Sequence, residues 1–256
     1  MVHVAALPGT PANKISLAKI VAKAVADARL LEDGGVDAVM IENMHDRPYL
    51  NRQVGPEVIA AMTAVGAALR SELKLPLGIQ ILAGANKAAL AVAHATGMEF
   101  IRAEGFVFGH LADEGMMNSD AGELLRYRKQ IGAEHIRIYT DVKKKHSSHA
   151  VSADVSIADT AKAADFFLSD GVIVTGNSTG EKASVIDLNA VKQAVKIPVF
   201  IGSGITEENL AGYWNLADGF IVGSSLKFGR NWENDVDTDS VKSFMNKVYE
   251  LRKSDR

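Results

Sequence analysis

The stretch VFIGSGITEENLAGYWNLADGFIVGSSL, residues 199–226, contains two strands and the helix between them. Val199–Ile201 and Gly219–Val222 are short apolar runs. Each is closed by glycine and serine, Gly202-Ser203-Gly204 after the first and Gly223-Ser224-Ser225 after the second. Near-continuous apolar runs bounded in this way are what strands buried on both faces of a parallel sheet look like. Between them Glu207–Asn215 carries apolar residues at helical spacing. Strand, helix and strand in immediate succession make a βαβ unit, whose strands lie parallel.

The same alternation extends back to the start of the chain. Six earlier apolar runs read as strands: Val2–Leu7, Ala38–Glu42, Leu77–Leu82, Phe100–Glu104, Ile136–Val142 and Val172–Thr175. Helical patterns fill the gaps. Ile15–Glu32 runs into Gly34-Gly35, a good helix stop, and Glu57–Leu73 is followed by Pro76, which cannot continue a helix. Asn86–Thr96, Gly122–Ile131, Ile157–Leu168, Leu188–Val195 and Val241–Leu251 complete the set. Strict alternation through eight units predicts an α/β fold, a (β/α)8 TIM barrel, and 256 residues is the usual size for one. With no linker or composition break, the expectation is a single domain over residues 1–256. Two βα loops are longer than economy requires, Phe106–Ala121 and Lys143–Ser156. Both follow strands, which puts them on the C-terminal face, where such barrels build their sites.

Composition narrows the function. Residues are 47% hydrophobic and 23% charged, with net charge -3, so nothing in the bulk electrostatics suggests nucleic acid or an anionic membrane as partner. There is no cysteine, which removes disulfides, thiolate metal sites and cysteine catalysis together. No stretch approaches the roughly 18 uninterrupted apolar residues of a transmembrane helix. Met1–Leu7 reads as a strand and not as a signal peptide, and a cytoplasmic location is expected.

Three constellations carry chemistry. The first is the pair of glycine-serine loops after the seventh and eighth strands, where barrels commonly bind phosphate. Gly202, Ser203, Gly204, Gly223, Ser224 and Ser225 would offer backbone N–H groups, and the helix beginning near Thr206 favours negative charge. Thr175, Gly176 and Asn177 after the sixth strand could add donors. The plainer alternative is tight turns. The second constellation is acidic: Glu42, Glu104 and Asp141 end the second, fourth and fifth strands. Period-two alternation points each into the barrel mouth, where they could act as general acid and base or hold a divalent cation. The alternative is a salt-bridge layer neutralised by Arg102 and Arg137. The third is Lys143-Lys144-Lys145-His146-Ser147-Ser148-His149, read either as a solvated surface or as a loop that closes over an anionic substrate. His146 would then be an acid or base tunable near neutrality. His3 and Gln80 are minor candidates.

These residues together resemble the BtpA/SgcQ family. Val2-His3 with Leu7-Pro8-Gly9-Thr10-Pro11 is similar to its opening segment, and Glu42-Asn43-Met44, Asp46 and Pro48-Tyr49 to its second-strand signature. Arg102-Ala103-Glu104, Asp141-Val142 with Lys145-His146-Ser147, Thr175-Gly176 with Gly180, and Gly202-Ser203-Gly204 extend the match over nearly the whole chain. Thr10 stands where serine is commoner, and His149 where proline is expected. The resemblance implies a TIM barrel. It also brings two functional associations: photosystem I biogenesis in one branch, and sugar-uptake gene clusters with a nucleoside triphosphatase label in another.

The leading expectation is an enzyme acting on a small phosphorylated or anionic metabolite by isomerase, epimerase or lyase-type chemistry. A Schiff-base aldolase is disfavoured because the sixth strand ends in Thr175 and carries no lysine. A non-catalytic assembly factor and a nucleotide-hydrolysing protein are the alternatives, though no Walker A motif is present. No cofactor is implied beyond the divalent cation already mentioned, and a homo-oligomer is left open.

Overall fold

The computed structural model describes residues 1–176 and 182–254. In chain order its elements are β1 (Val2–His3), α1 (Leu17–Asp33), β2 (Val39–Glu42), α2 (Pro56–Glu72), β3 (Leu77–Gln80), α3 (Asn86–Thr96) and β4 (Phe100–Ala103). Then come β5 (His110–Ala112), β6 (Gly115–Met117), α4 (Ala121–Gln130), β7 (Arg137–Val142), β8 (Ser147–Ser148) and α5 (Ile157–Phe166). The chain ends with β9 (Gly171–Val174), α6 (Val185–Ala194), β10 (Val199–Ile201), α7 (Glu207–Tyr213), β11 (Gly219–Phe220) and α8 (Thr238–Ser254).

Eight strands form one parallel sheet in the order β1-β2-β3-β4-β7-β9-β10-β11. At the seam between first and last, the Met1 nitrogen donates to the Val222 carbonyl at 2.8 Å. This is the (β/α)8 TIM barrel that the alternation predicts, with the helices outside. Strand faces follow period two. Val39, Ile41, Leu77, Ile79, Ile101 and Ile138 are buried in the core cluster with α1, α2 and α3 residues such as Ile20, Leu31, Met62, Leu69 and Leu90.

The interior is packed by large-against-nothing pairing. Gly78 stands beside Phe100, Gly171 beside Tyr139 and Gly219 beside Phe200 in the strand register. A Cβ on Gly78 would lie 2.1 Å from the Phe100 ring. Gly78→Ala should therefore overpack the barrel floor, at about 1–3 kcal/mol. Urea denaturation measures it, and Phe100→Leu in the same chain should return most of the loss. The helix stop after α1 works differently: Gly35 is left-handed at φ 88°, and a Cβ there would strike the Tyr249 hydroxyl of α8 at 2.2 Å.

The two long loops are not separate flaps. β5 pairs antiparallel with both β6 and β8, so residues of the 106–121 and 143–156 segments share a three-stranded sheet. A single 3-10 turn, Ala150–Ser152, follows β8. Arg52 anchors this cap: its guanidinium donates to the Gly84 carbonyl at 3.1 Å, the Gly105 carbonyl at 2.7 Å, Asp120 at 2.6 Å and the Asn118 carbonyl. Among the described residues no helix is long and apolar enough to cross a membrane.

Candidate functional site

A cavity of about 210 Å³ opens at the C-terminal end of the barrel. His3, Glu42 and Arg102 reach it from β1, β2 and β4, and Met44 and Lys145 from the loops after β2 and β7. Residues 202–206 and 221–225, with Arg230, complete the lining. A larger opening of about 760 Å³, lined by Met40, Phe100, Tyr139, Phe200 and Phe220 among others, lies at the other end beside the barrel floor. The chemistry concentrates in the smaller one.

Glu42 is aimed here by the pleat and kept free by its neighbours. Asn43 donates to Asp46 at 2.9 Å and accepts the Leu82 N–H at 2.7 Å. Asp46 also accepts the Leu7 N–H at 2.7 Å and the Thr10 hydroxyl at 3.1 Å. The Glu42-Asn43-Met44…Asp46 segment thus ties the loops after three strands together and leaves the buried Glu42 carboxyl with no hydrogen-bond partner among the described residues. Burial pushes that carboxyl above the usual glutamate value, against the opposing pull of Arg102 and Lys145.

The other two carboxylates part company with it. Asp141 accepts two hydrogen bonds from Arg102, from Nε and Nη2, both at 2.9 Å, and both side chains are buried. Glu104 faces Lys144 at 3.5 Å, and Lys144 faces Glu114 at the same distance. Neither Asp141 nor Glu104 lines the cavity of Glu42. Of the three carboxylates expected around one cavity, Glu42 lines it, while Asp141 and Glu104 stand behind it, close enough to act on one another electrostatically. For Asp141 and Glu104 the salt-bridge alternative holds, with Arg102 and Lys144 as partners, whereas Arg137 pairs with Asp170 at 3.0 Å.

The lysine run divides as well. Lys143 donates to the Ser152 carbonyl at 3.4 Å, and Lys144 is buried between its two glutamates, so both hold the cap and neither reaches the cavity. Lys145 does line it, with no hydrogen bond or ion pair from its ammonium among the described residues. Burial first, and Arg102 second, push its amine below the ordinary lysine value. His146, expected as an acid or base, is exposed and is not among the residues that line this cavity.

The glycine-serine loops are where the sequence placed them, but their donors differ from expectation. The Gly202 N–H is used by the Val174 carbonyl at 2.9 Å. The Ser203 hydroxyl accepts the Gly176 N–H at 2.9 Å, and the Ser225 hydroxyl donates to the Ile205 carbonyl at 2.8 Å. Those hydroxyls bind neighbouring loops together. Thr175 and Gly176 lie outside the cavity lining, Gly176 donating to Ser203 and the buried Thr175 hydroxyl having no hydrogen-bond partner among the described residues. Asn177 lies outside the described residues. Left over are the backbone N–H groups of Gly204, Gly223, Ser224 and Ser225, which donate to no acceptor among the described residues. Gly204 sits at φ 70°, a conformation that favours glycine. The start of α7 is not a donor set: it is seven residues long and closed by its own Thr206–Asn209 capping box. Arg230, which the sequence reading missed, adds a guanidinium at the rim and pairs with Glu208. Its signal was only a lone basic residue in a polar loop.

Among the described residues no three His, Asp or Glu side chains stand together as a metal site. What the cavity offers is a set of open N–H donors with Arg230, together with Arg102, a lysine amine and a carboxyl. The raised Glu42 carboxyl has a consequence for stability. A folded-state value above the unfolded one favours the fold when the group is protonated, and that contribution is lost as pH rises through the folded value. Glu42→Gln should therefore be at least as stable as the parent at neutral pH, with the advantage vanishing as pH falls to the carboxylate range. Denaturation curves at several pH values read this directly.

Two comparisons with solved structures agree with the fold. Thiamine phosphate pyrophosphorylase from Pyrococcus furiosus superposes with a TM-score of 0.59 at 15% identity, over 89% of this chain and 90% of that one. Orotidine 5'-monophosphate decarboxylase from Methanocaldococcus jannaschii gives 0.60 at 13% identity, over 89% and 92%. At these identities the likeness shows the barrel alone. Sequence relatives are much closer. A Caenorhabditis elegans protein whose name places it in the mitochondrion is 48% identical over 99% of this chain and 93% of its own length. The photosystem I biogenesis protein BtpA of Synechocystis is 34% identical over 99% and 88%. The BtpA family pattern matches residues 1–250, so this chain belongs to the BtpA family.

Proposed function

We propose that the protein is an enzyme that binds a small phosphorylated metabolite in the C-terminal cavity and moves a proton on it through Glu42. The observation that carries this reading is the mixed lining of the cavity. Open backbone donors and Arg230 line it together with one buried, unpaired carboxyl. A phosphate seated against the 204 and 223–225 backbone would satisfy those donors without a bulky side chain in the way. Arg102, fixed by Asp141, would hold positive charge beside the reacting part of the substrate. Glu42 meets the requirement of a general acid or base whose value is moved toward neutrality by burial. At about 210 Å³ the cavity falls below the roughly 300–1,000 Å³ of drug-sized sites, which favours a short sugar phosphate over a nucleotide. A cytoplasmic place suits such an enzyme, although one relative's name is mitochondrial.

A second reading takes its lead from the name of the Synechocystis relative, an assembly role. Its support here is a set of exposed apolar side chains: Phe166 at the end of α5 and Ile186 at the start of α6, each 81% exposed, and Leu168, 69% exposed.

The test is calorimetric titration with glycerol 3-phosphate and with orthophosphate. Gly223→Leu is the informative variant. Gly223 lies outside the left-handed region, at φ -122° and ψ -89°, and a Cβ there first meets the His3 imidazole at 3.4 Å, so the new side chain enters the cavity lining. The variant's circular-dichroism spectrum and melting curve are matched to the parent's first. Binding by the parent and at least tenfold weaker binding by Gly223→Leu, about 1.4 kcal/mol, is expected. Equal binding by the folded variant would remove the site, and no binding by the parent would leave the assembly reading ahead.

A further inference from the structure

We propose that Lys145 is an imine-forming nucleophile, so that the substrate is an aldehyde or ketone carrying a phosphate. The inference rests on the phosphometabolite reading above and names its reacting group.

The argument starts from the loop after β7. Lys143 and His146 both occupy left-handed backbone, at φ 50° and φ 53°. Side chains other than glycine enter that region at a cost and stay only where the surroundings over-determine it. The two turns flank Lys144 and Lys145 and send them to different places. Lys144 goes to Glu104 and Glu114, and Lys145 goes into the cavity. Lys144 has carboxylate oxygens of Glu104 and Glu114 as counter-charges, each at 3.5 Å. Lys145 instead shares its cavity with Arg102, whose charge and the surrounding burial both favour the neutral amine. A neutral amine is a poor phosphate ligand and a good nucleophile. The sixth barrel strand carries no lysine, but the loop after the fifth supplies one.

Glu42 completes the chemistry in the same cavity. The Lys145 nitrogen pair forms a bond to the carbonyl carbon, and the carbonyl π pair takes the proton held by Glu42. The Glu42 carboxylate then removes a proton from the new ammonium nitrogen, leaving a neutral carbinolamine. Glu42 returns that proton to the carbinolamine hydroxyl, the C–O bond breaks as the nitrogen pair forms C=N, and water leaves. Carbonyl, amine and carboxylic acid have become protonated imine, carboxylate and water. The ionised Glu42 then stands beside carbon acidified by the imine, ready to remove a proton from it. No oxidant, reductant or metal enters the balance.

The experiment incubates the protein with dihydroxyacetone phosphate, reduces with sodium borohydride and maps the modified peptide by mass spectrometry. Binding of dihydroxyacetone phosphate and orthophosphate is measured in parallel by calorimetry. The expected result is one reduced adduct on Lys145, suppressed by excess orthophosphate. Lys145→Arg should lose that adduct and keep orthophosphate binding within a few-fold of the parent. If dihydroxyacetone phosphate binds but Lys145 carries no adduct, the imine proposal fails and the binding reading stands. If adducts scatter over other lysines and ignore orthophosphate, the imine proposal fails as well. If neither ligand binds and no adduct forms, both fail together.

Discussion

Asp141→Ala is expected to destabilise the protein by about 3–5 kcal/mol, the cost of leaving a buried charge without its partner. Arg102 donates twice to Asp141 at 2.9 Å, and neither side chain has meaningful access to water. Burying a guanidinium is unfavourable, and here Asp141, with Glu42 and Glu104 behind it, outweighs that penalty. Without Asp141 the charge would have Glu42 and Glu104 to turn to, and neither accepts a hydrogen bond from it in the native arrangement. For a chain of this size the expected fall in Tm is roughly 10 °C. Calorimetric or circular-dichroism melting measures it. Two further variants separate the causes. Asp141→Leu with Arg102→Met removes both charges and should recover most of the stability, because an apolar pair of similar volume avoids the desolvation cost. Asp141→Ala with Glu42→Gln should be worse than Asp141→Ala alone if Arg102 has moved to Glu42. A loss under about 0.5 kcal/mol in the single variant would place the pair among ordinary surface contacts and contradict its burial.

Lys144→Met should produce a loss of similar size, about 3–5 kcal/mol at neutral pH, with a pH dependence of its own. Lys144 is the shared counter-charge of Glu104 and Glu114, 3.5 Å from each. Burial already raises the Glu104 carboxyl, and Lys144 is the main influence holding it down. Removing the lysine raises it further. The sign follows from linkage: a carboxyl with a raised folded-state value destabilises the fold above that value, and the penalty disappears once it is protonated. The deficit of Lys144→Met should therefore shrink as pH falls through the carboxylate range and approach the parent curve below it. The same substitution at Lys143, which gives only one long hydrogen bond to a carbonyl, should cost well under 1 kcal/mol. Equal, small effects at both positions would make the run a solvated surface.

These contrasts mark how far the sequence could be read. Strand positions and facing were legible because a buried strand writes its pleat as period two. Glu42, Arg102, Glu104 and Asp141 all follow from that rule. Their partners were not legible, because partnering depends on strand stagger and on how far a long side chain reaches. Arg102 lies opposite Tyr139 in the register, yet its guanidinium extends up the barrel to Asp141. The three-stranded cap was invisible for a related reason. β5, β6 and β8 have three, three and two residues, too short for any periodic signal, and their pairing joins loops that lie far apart in the chain. The glycine-serine loops were legible because glycine marks backbone that must turn or be approached. Which of their groups stay open was not, since Ser203 and Ser225 give their hydroxyls to neighbouring loops. α7 looked like an anion-binding helix start, but its length and its own capping box were not written in the Gly-Ser-Gly motif.

The central claim is that the open N–H groups of Gly204 and Gly223–Ser225 form a phosphate seat in the same cavity as Glu42 and Lys145. X-ray diffraction from crystals soaked in orthophosphate tests it most directly. The account predicts tetrahedral density within hydrogen-bond distance of at least two of those backbone nitrogens, with Arg230 turned toward it and Glu42 in the same cavity. A mouth that stays empty at saturating orthophosphate, or phosphate found only beside the Phe100–Tyr139 floor at the opposite end, would contradict it.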